Sequence, residues 1–452
     1  MTLKMLLDLS KLLLVFTEVS LVVYRRFSSK VKLSFLNEKT LNMKILAIDD
    51  QKLVLIPLEN RLKELGYEIL TETNSLRGIE LYESYHPDLV IIDINMPLVS
   101  GIEVVKHIRN IKKSDTAIMI LSGNTGDDMI TEGFNLGIND YLKKPLSLVE
   151  VCARVKRLIG VPETPNKVIL PKDIIIQQRC VGVVIPCYNE EKRLLSKKFT
   201  DFIVKNSGYH LCFVNDGSKD KTLRVLKDLT KGRKDFITVY NCEKNGGKAE
   251  AVRQGMLYMA KQKGLDYIGF LDADLSTDLT DFDNLVSTIE KFNYKIVSGS
   301  RINRMGANIS KDAARNIISL TFNFFIRKIL KMSFKDTQCG AKVFSKDVIE
   351  ISFGKKFITR WVFDVEIFRR ITLHFGLRKA KQILCEQPLK RWIHANGSKL
   401  SIKDSIKIMG NLGKIAWFYR RQRSKPPVKL NSLKTGNSNI LKSAINIRYF
   451  FY

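Results

Sequence analysis

The sequence contains few cysteines, few acidic residues and no long apolar run. Its seven cysteines are scattered over 452 residues without a C-x-x-C pair, which indicates a reducing compartment and no structural zinc. No uncharged apolar run reaches the ~18 residues of a membrane-spanning helix. The most apolar stretch, residues 5–24, is interrupted by three charged side chains, so it also does not fit the apolar core of a signal peptide.

Basic residues outnumber acidic ones, 75 to 46, and the excess lies in the last two thirds of the chain. Residues 43–160 carry 14 basic and 17 acidic side chains, whereas residues 161–452 carry 54 and 26. Such a charge favours a polyanionic partner, whether nucleic acid, anionic lipid or a phosphorylated substrate. A hydrophobic content of 45% excludes disorder of the whole chain, and the length predicts two or three domains.

Changes in composition divide the chain into five segments. Met43 opens the first predicted strand and is the expected natural start, so we set the residues before it aside as an N-terminal extension. A stretch with three prolines and no apolar period predicts a linker after the first domain. The segments are an extension (1–42), a first domain (43–160), a linker (161–178), a second domain (179–408) and a basic amphipathic or disordered tail (409–452).

Short apolar runs alternate with helix-period stretches five times in the first domain. This alternation predicts an α/β fold in which parallel strands, joined by helices, form a doubly wound sheet. Such sheets carry their working groups at the carboxyl ends of the strands. The predicted strands are Lys44–Ile48, Glu68–Glu72, Leu89–Ile92, Ala117–Leu121 and Asp140–Leu142.

Polar residues stand at four of these strand ends. Asp49 and Asp50 follow the first strand, Asp93 follows the third, Ser122 the fourth and Lys144 the fifth. The set comprises carboxylates for a divalent cation, one central carboxylate as nucleophile, a hydroxyl, and a cation for a phosphoryl oxygen. Together these groups can form an acyl phosphate.

These motifs resemble the response-regulator receiver family, a flavodoxin-like fold. The resemblance covers about residues 43–160 and rests on Ile48-Asp49-Asp50, Asp93-Ile94-Asn95-Met96-Pro97, Gly101, Leu121-Ser122 and Tyr141-Leu142-Lys143-Lys144-Pro145. It implies that Asp93 accepts phosphate from a histidine kinase or phosphotransfer protein, with dimerisation through the receiver as one consequence. It also implies Mg²⁺ held by Asp49, Asp50, Asp93 and Asn95, and switch residues Ser122, Tyr141 and Lys144.

The second domain begins with an apolar strand that ends in Pro186 and is followed by Tyr188, Asn189 and Glu190. We expect these polar residues to open a helix, a geometry that suits a nucleotide. A second strand, Leu211–Val214, runs into Asn215 and Asp216, whose carboxylate can accept from a base or ribose.

Two further motifs complete the second domain's series. Asn245-Gly246-Gly247-Lys248 is a glycine-rich turn whose lysine opens a helix and can contact a pyrophosphate. The strand Tyr267–Leu271 ends in Asp272-Ala273-Asp274. Two such carboxylates are ligands for Mg²⁺ or Mn²⁺ bridging a diphosphate. In this order the four motifs resemble the inverting glycosyltransferases of family 2, with the nucleotide-sugar-binding fold called GT-A.

Later motifs resemble the dolichyl-phosphate glucosyltransferase and mannosyltransferase branch, the glucosyl type more closely. They are Gly299-Ser300-Arg301, the stretch from Asp336 to Phe344, Arg360-Trp361-Val362-Phe363-Asp364-Val365-Glu366 and Gly397-Ser398-Lys399. The branch implies hexose transfer from UDP-glucose or GDP-mannose to a polyprenyl phosphate. Asn215, Ala341 and Ser276 depart from residues common in these families, which weakens the donor assignment.

The resemblance gives each candidate residue a role. Asp272 and Asp274 would hold the metal, Asp216 the uridine and Lys248 the pyrophosphate. Because a phosphate monoester is already an anion, a general base is optional, and positioning and charge stabilisation carry most of the catalysis. The nucleotide-sugar set is Pro186, Tyr188, Asn189, Glu190, Asp216, Gly247, Lys248 and Asp272. The acceptor-phosphate set is Arg301, Arg315 and Lys399, and the candidates that steer or deprotonate are Asp336 and Asp364.

Two segments could provide peripheral membrane contact. Asn316–Phe334 is apolar on most faces and ends in cations, and residues 401–452 hold 11 basic residues against one acid. The alternatives are core packing for the first and a disordered, solvated end for the second. With the polyprenyl acceptor, these segments predict a cytoplasmic enzyme on the anionic inner face of the cytoplasmic membrane.

Two other functions remain open. One is a family 2 transferase that extends a polysaccharide, although Arg360-Trp361 lacks the upstream glutamine of the Gln-x-x-Arg-Trp motif. The other is a signalling protein that binds nucleotide sugar without turnover. No helix-turn-helix pattern follows the linker, so we expect no nucleic-acid partner.

Overall fold

The computed structural model describes residues 43–123, 127–162, 174–302, 308–309, 324–392 and 402–421. The predicted N-terminal extension and most of the predicted linker lie outside these ranges. Within them, no helix combines the length and the apolar character needed to cross a bilayer.

The first half is a doubly wound sheet in the order β2-β1-β3-β4-β5, with every pair parallel. The five predicted strands are confirmed to within one residue. The elements are β1 (Lys44–Ile48), α1 (Lys52–Glu64), β2 (Glu68–Glu72), α2 (Ser75–Tyr85), β3 (Leu89–Ile92), α3 (Gly101–Lys106) with a π-helical turn (His107–Ile111), β4 (Ala117–Ser122), α4 (Asp127–Asn135), β5 (Asp140–Lys143), β6 (Leu146–Ser147) and α5 (Leu148–Ile159).

The second half is a mixed sheet in the order β14-β11-β13-β10-β7-β8-β9, of which β10, β7, β8 and β9 are mutually parallel. Its elements are β7 (Ile175–Cys187), α6 (Ser196–Lys205), β8 (Asn206–Asp216), α7 (Thr222–Thr230), β9 (Ile237–Cys242), α8 (Lys248–Ala260), β10 (Tyr267–Leu271), α9 (Leu279–Phe292), β11 (Ile296–Ser300), β12 (Asn308–Ile309), α10 (324–330), β13 (Ala341–Ser345), a 3₁₀ turn (Lys346–Val348), α11 (Ile349–Phe353), α12 (Phe363–Phe375), α13 (Leu377–Ile383), β14 (Leu384–Pro388), β15 (Arg391–Trp392) and α14 (Ile402–Arg421).

Three predicted boundaries are wrong. The linker prediction extended to residue 178, but β7 begins at Ile175, because its first residues pair both with β6 and with β8. The helix expected at Asn189 begins only at Ser196, since the intervening backbone bonds to a neighbouring loop instead. The tail predicted from residue 409 starts inside α14, which buries Leu412, Ile415 and Tyr419 against the core.

The described part of the segment Asn316–Phe334 fits both interpretations given to it. In α10, Ile326 and Leu330 are buried in the core, whereas the Phe324 side chain is 63% exposed. One face of this helix therefore packs inward and another presents an aromatic ring to the surface.

One hydrophobic cluster spans both halves, and each half has a further cluster of its own. Leu53 and Leu58 of α1 belong to the same buried cluster as Cys180 and Leu265 of the second half. In addition, β6 pairs antiparallel with the start of β7, which adds a strand of the first half to the sheet of the second. The halves are thus joined by backbone pairing as well as by apolar contact.

Candidate active sites at two sheet edges

The first candidate site lies at the carboxyl ends of β1, β3 and β5. Lys144 Nζ donates to Asp49 Oδ2 at 2.6 Å and to Asp93 Oδ1 at 3.1 Å, and all three side chains are buried. Burial opposes the charge of Lys144, but the two carboxylates raise its pKa above the ordinary value. The predicted phosphoacceptor and the predicted phosphoryl-binding cation are therefore in contact.

The other predicted residues of this site surround the same pocket. Asn95 N donates to Asp93 Oδ2 at 2.8 Å, and Asn95 Nδ2 donates to the Ser122 hydroxyl at 3.4 Å. Tyr141 is half-buried on β5, in register with Ile120 of β4. Burial, followed by the charges of Asp49 and Asp93, raises the pKa of Asp50 to about 6.

The pocket carries a net negative charge, although its carboxylates, all among the described residues, are not placed as a ready-made metal site. Asp49, Asp50 and Asp93 are three carboxylates, and Lys144 is the cation that contacts two of them. Carboxylate oxygens are the ligands that Mg²⁺ prefers. Gly101 is required beside the pocket because a Cβ there would lie 2.2 Å from the Asp93 carbonyl oxygen.

The second candidate site lies at the carboxyl ends of β7, β8 and β10. Its first loop, residues 188–191, is bonded to the loop after β8. The Asn189 amide donates to the Ser218 hydroxyl at 3.1 Å, and the Glu190 amide donates to Thr222 Oγ1 at 2.8 Å. Pro186 lies within β7, and the Tyr188 ring is 40% exposed. These bonds fix the loop at the sheet edge where a nucleotide was predicted.

The carboxylate of Asp216 is bonded to the glycine turn at residues 245–248. Its two carboxylate oxygens accept from the Gly246 and Gly247 amides at 2.8 and 2.9 Å. The predicted uridine contact and the predicted pyrophosphate turn are therefore one unit in this structure. Lys248 follows as the first residue of α8, as predicted.

The carboxylate pair after β10 meets that turn. Lys248 Nζ forms an ion pair with Asp272, and Asp274 Oδ1 accepts from the Ser276 amide and hydroxyl at 2.9 and 2.8 Å. Burial, opposed by Arg193 and assisted by the Asp274 charge, raises the pKa of Glu190. Asp274 is thus electrostatically coupled to the nucleotide loop.

The described residues contain no group of three or more His, Cys, Asp or Glu side chains placed to hold a metal ion. At the second site the protein offers two carboxylates, Asp272 and Asp274. Mg²⁺ is commonly held by one or two carboxylates together with substrate phosphates. The donor set therefore fits a metal that binds with a diphosphate.

Two ion pairs lie behind the second site, one partly buried and one fully buried. Arg301 Nε and Nη2 donate to Asp336 at 2.7 and 2.8 Å, and Lys342 Nζ donates to Asp364 at 2.6 Å. Burial opposes the charge of Asp336, but Arg301 holds the pKa of this carboxyl far below its ordinary value. Asp336 is therefore a weak base that orients Arg301, which argues against its predicted role in deprotonation.

Sequence reasoning missed Lys342 and Gly340. Lys342 is fully buried within β13, and a lysine inside an otherwise apolar strand was the signal that could have found it. A Cβ at Gly340 would lie 1.9 Å from Asp272 Oδ2, a contact visible only in the folded chain. The candidates Arg315 and Lys399 fall outside the described residues.

Comparison with known proteins finds two family models. Residues 45–156 match the response regulator receiver domain, and residues 182–352 match glycosyl transferase family 2. The chemotaxis protein CheY4 of Vibrio cholerae aligns with 25% of this chain and 97% of its own, at 28% identity and a TM-score of 0.25.

Several curated relatives align with the second half. A dolichyl-phosphate beta-glucosyltransferase of Trichomonas vaginalis is 32% identical over 57% of this chain and 80% of its own length. The enzyme of the same name from Dictyostelium discoideum is 30% identical over 53% and 74%. That of Saccharomyces cerevisiae is 32% identical over 51% and 72%.

Proposed function

The chain belongs to glycosyltransferase family 2 and carries a response-regulator receiver domain, and from this we propose that it transfers a hexose, glucose in preference, from a nucleotide sugar to a polyprenyl phosphate under control of the receiver. The relatives above are named for transfer to dolichyl phosphate. This shared name supports the acceptor class.

The observation that carries the proposal is the meeting of Lys248, Asp272 and Asp274 at one sheet edge. A cation beside two carboxylates, next to a glycine turn at a helix start, is suited to a nucleoside diphosphate. Mg²⁺ or Mn²⁺ held by Asp272 and Asp274 would supply positive charge against the departing diphosphate.

The proposed transfer is a single displacement with inversion. An oxygen of the acceptor phosphate attacks the anomeric carbon while the bond from that carbon to the β-phosphate oxygen breaks, and the electron pair leaves with UDP. Lys248 contacts the leaving phosphate, and Asp364, held by Lys342, lies on the adjacent helix start to orient the acceptor. Positioning and charge stabilisation thus supply the catalysis.

An apolar groove of about 450 Å³ between α10, α12 and α14 supports a lipid acceptor. Apolar residues such as Ile329, Met409 and Leu412 line it, and Lys328, Lys331 and Arg420 add positive charge. This combination fits an anionic amphiphile such as a polyprenyl phosphate. Arg369 of this groove lies on α12, the helix that also carries Asp364 near its start.

The groove and its cations also support peripheral attachment to the anionic inner face of the cytoplasmic membrane. Control by the receiver begins with phosphorylation by a histidine kinase or phosphotransfer protein. A carboxylate oxygen of Asp93 attacks phosphorus, the bond from phosphorus to the histidine nitrogen breaks, and that nitrogen keeps the electron pair. Lys144, already 3.1 Å from Asp93, is placed to contact the phosphoryl oxygens.

The test uses the purified full chain with Mg²⁺ or Mn²⁺, radiolabelled UDP-glucose or GDP-mannose, and undecaprenyl phosphate in detergent. We expect label in the organic phase from UDP-glucose, lost in Asp274→Asn and kept in Asp228→Asn, whose carboxylate pairs with Lys231 at the surface. No lipid-linked label from either donor, with UDP binding intact, would contradict the proposal and favour polysaccharide extension or nucleotide-sugar sensing.

A further inference from the structure

The acidic pocket of the receiver lies directly against the transferase. The loop before β10 approaches it so closely that a Cβ at Gly264 would lie 3.4 Å from the Asp50 carbonyl oxygen and 3.5 Å from Gln51 Cα. Gln51 is 7% exposed, so this part of the pocket wall is sealed by the second half of the protein.

A chain of hydrogen bonds crosses this contact. The Gln51 amide donates to Asp49 Oδ1 at 2.9 Å, and Gln51 Nε2 donates to Asp266 Oδ2 at 2.6 Å. The same Asp266 oxygen accepts from the Cys180 amide at 3.0 Å, and Cys180 Sγ lies 3.4 Å from Gln51 Oε1. Gln51 therefore connects the two halves, because its backbone N–H bonds the pocket carboxylate of Asp49 and its side chain bonds Asp266 and Cys180 of the transferase.

Those two strands carry the donor site at their other ends. Asp266 immediately precedes β10, which ends before Asp272, and Cys180 lies within β7, which leads to the loop at Tyr188. The two strands are parallel neighbours. A shift at the pocket can therefore reach the donor site through two strand segments. One is the five residues of β10, which lead to Asp272, and the other is the seven residues of β7 after Cys180, which lead to the nucleotide loop.

A second connection starts from Lys144. Its Nζ bonds both Asp49 and Asp93, and two residues later β6 pairs Leu146 with Ile176 of β7. A phosphoryl group on Asp93 would attract Lys144, whose backbone leads directly into β6. This connection also ends on β7.

The charge of Asp266 makes the contact responsive to pocket occupancy. The Asp266 carboxylate accepts from Gln51 Nε2 at 2.6 Å, and the Gln51 backbone N–H donates to Asp49 at 2.9 Å, so Asp266 lies close to the pocket carboxylates. Three pocket carboxylates and Asp266 repel one another, and a divalent cation would relieve that repulsion. Loading of the pocket therefore changes the free energy of the interface itself.

We propose that the transferase responds to loading of the receiver pocket with a cation and a phosphoryl group through Gln51 and Asp266, which lie at the pocket wall. This contact acts in addition to any role of Ser122 and Tyr141. The consequence for sugar transfer rests on the proposed function, but the interface and its test do not. The interaction surface is defined by Asp50 and Gln51 on one side and by Cys180 and Gly264–Asp266 on the other.

The experiment is amide hydrogen exchange on the full chain, with and without Mg²⁺ and beryllium fluoride, which occupies the place of a phosphoryl group on an aspartate. We expect loading to change exchange in residues 262–271 by about fivefold or more, the lower end of typical coupling between sites. Asp93→Asn should abolish the change. Because no sugar is present, failure of the proposed function would leave this result untouched.

Three variants make the test specific. Gln51→Ala should lose the response, and Asp266→Asn, which keeps the shape of the side chain, should lose it if Gln51→Ala does not fold. Lys52→Ala is the matched control. Lys52 Nζ lies 3.0 Å from Asp235 Oδ1, and this exposed ion pair crosses the same interface outside the pocket. The Lys52→Ala protein should respond like the unaltered protein. An unaltered protein without response, or a folded Gln51→Ala or Asp266→Asn that responds normally, would overturn the proposal.

Discussion

At the scale of the residue, the transferase site depends on charges that are buried and paired. Lys342 and Asp364 are the clearest case, because Lys342 is fully buried and also donates to the Cys339 carbonyl oxygen at 2.6 Å. Removing one partner of a buried pair leaves an uncompensated charge, which costs more than the loss of an exposed pair.

We therefore expect Lys342→Met to lower the free energy of unfolding by about 3 kcal/mol. Urea unfolding measures this, and Lys231→Met, which breaks an exposed pair with Asp228, should cost less than about 1 kcal/mol. The double variant Lys342→Met with Asp364→Asn should regain part of the loss. Equal stabilities for Lys342→Met and the control would contradict this account of the pair.

Asp50 gives a pH dependence whose sign follows from its raised pKa. Burial and neighbouring carboxylates raise the pKa from 3.8 to about 6 in the folded protein, so the ionised form is less favourable there than in the unfolded chain. Stability contributed by this group is present below pH 4, falls between pH 4 and 6, and stays lost above that range.

Asp50→Asn should therefore stabilise the protein at pH 7.5 by about 1 kcal/mol, after allowance for solvent screening of a partly exposed group. At pH 4 the two proteins should be nearly equal. Thermal unfolding in chelator measures the difference, with the exposed Asp115→Asn as control. A gain at pH 4 as large as that at pH 7.5 would show that the carboxylate charge is not the cause.

At the scale of the element, α14 is part of the folded transferase. Tyr419 is buried, donates to Glu366 Oε1 at 2.7 Å and accepts from Arg370 Nε at 3.1 Å. Its hydroxyl therefore completes a polar cluster on α12, the helix whose second residue is Asp364. The part of the predicted amphipathic or disordered tail that the structure describes is thus a helix that packs on α12.

Tyr419→Phe should lower the free energy of unfolding by about 1–2 kcal/mol, because it leaves buried Glu366 and Arg370 each without one partner. Lys414→Ala, on the exposed face of the same helix, is the matched control and should change stability by less than about 0.5 kcal/mol. Chemical unfolding compares the two, and equal losses would mean that the hydroxyl is not anchored as described.

The turn before β13 lies directly against the carboxylate of Asp272. A Cβ at Gly340 would lie 1.9 Å from Asp272 Oδ2, so Gly340→Ala must displace that carboxylate. We expect transfer to fall by about a hundredfold, as for misplacement of a reacting group by about 1 Å. Gly410→Ala, with no atom within 4 Å of the new Cβ, should keep full activity and gain up to about 1 kcal/mol of stability. Normal transfer by Gly340→Ala would show that the position of Asp272 does not matter for transfer.

At the scale of the whole molecule, the sequence predicted local order better than long-range contact. The receiver strands followed from short apolar runs, and Asp93 and Lys144 from their positions at strand ends. The start of β7 could not be predicted in this way. Its polar residues Gln177 and Gln178 interrupt the apolar pattern, and its partners β6 and β8 are separated from it along the chain.

The same limit explains the site residues that were missed or reassigned. Nothing local indicates that Asp266 of the transferase bonds Gln51 of the receiver, 215 positions away. The pairing of Arg301 with Asp336 likewise depends on two loops that meet only in the fold. These long-range contacts make the receiver and the transferase one structure rather than two tethered domains.

The most direct test of the central claim is the initial rate of glucose transfer to undecaprenyl phosphate, measured with and without acetyl phosphate. Asp93 takes the phosphoryl group as the bond from phosphorus to the acetate oxygen breaks and acetate leaves. We predict a change of about fivefold or more in the unaltered protein, absent in Asp93→Asn and reduced in Gln51→Ala. Equal rates with and without acetyl phosphate, in protein shown to be phosphorylated, would contradict the account.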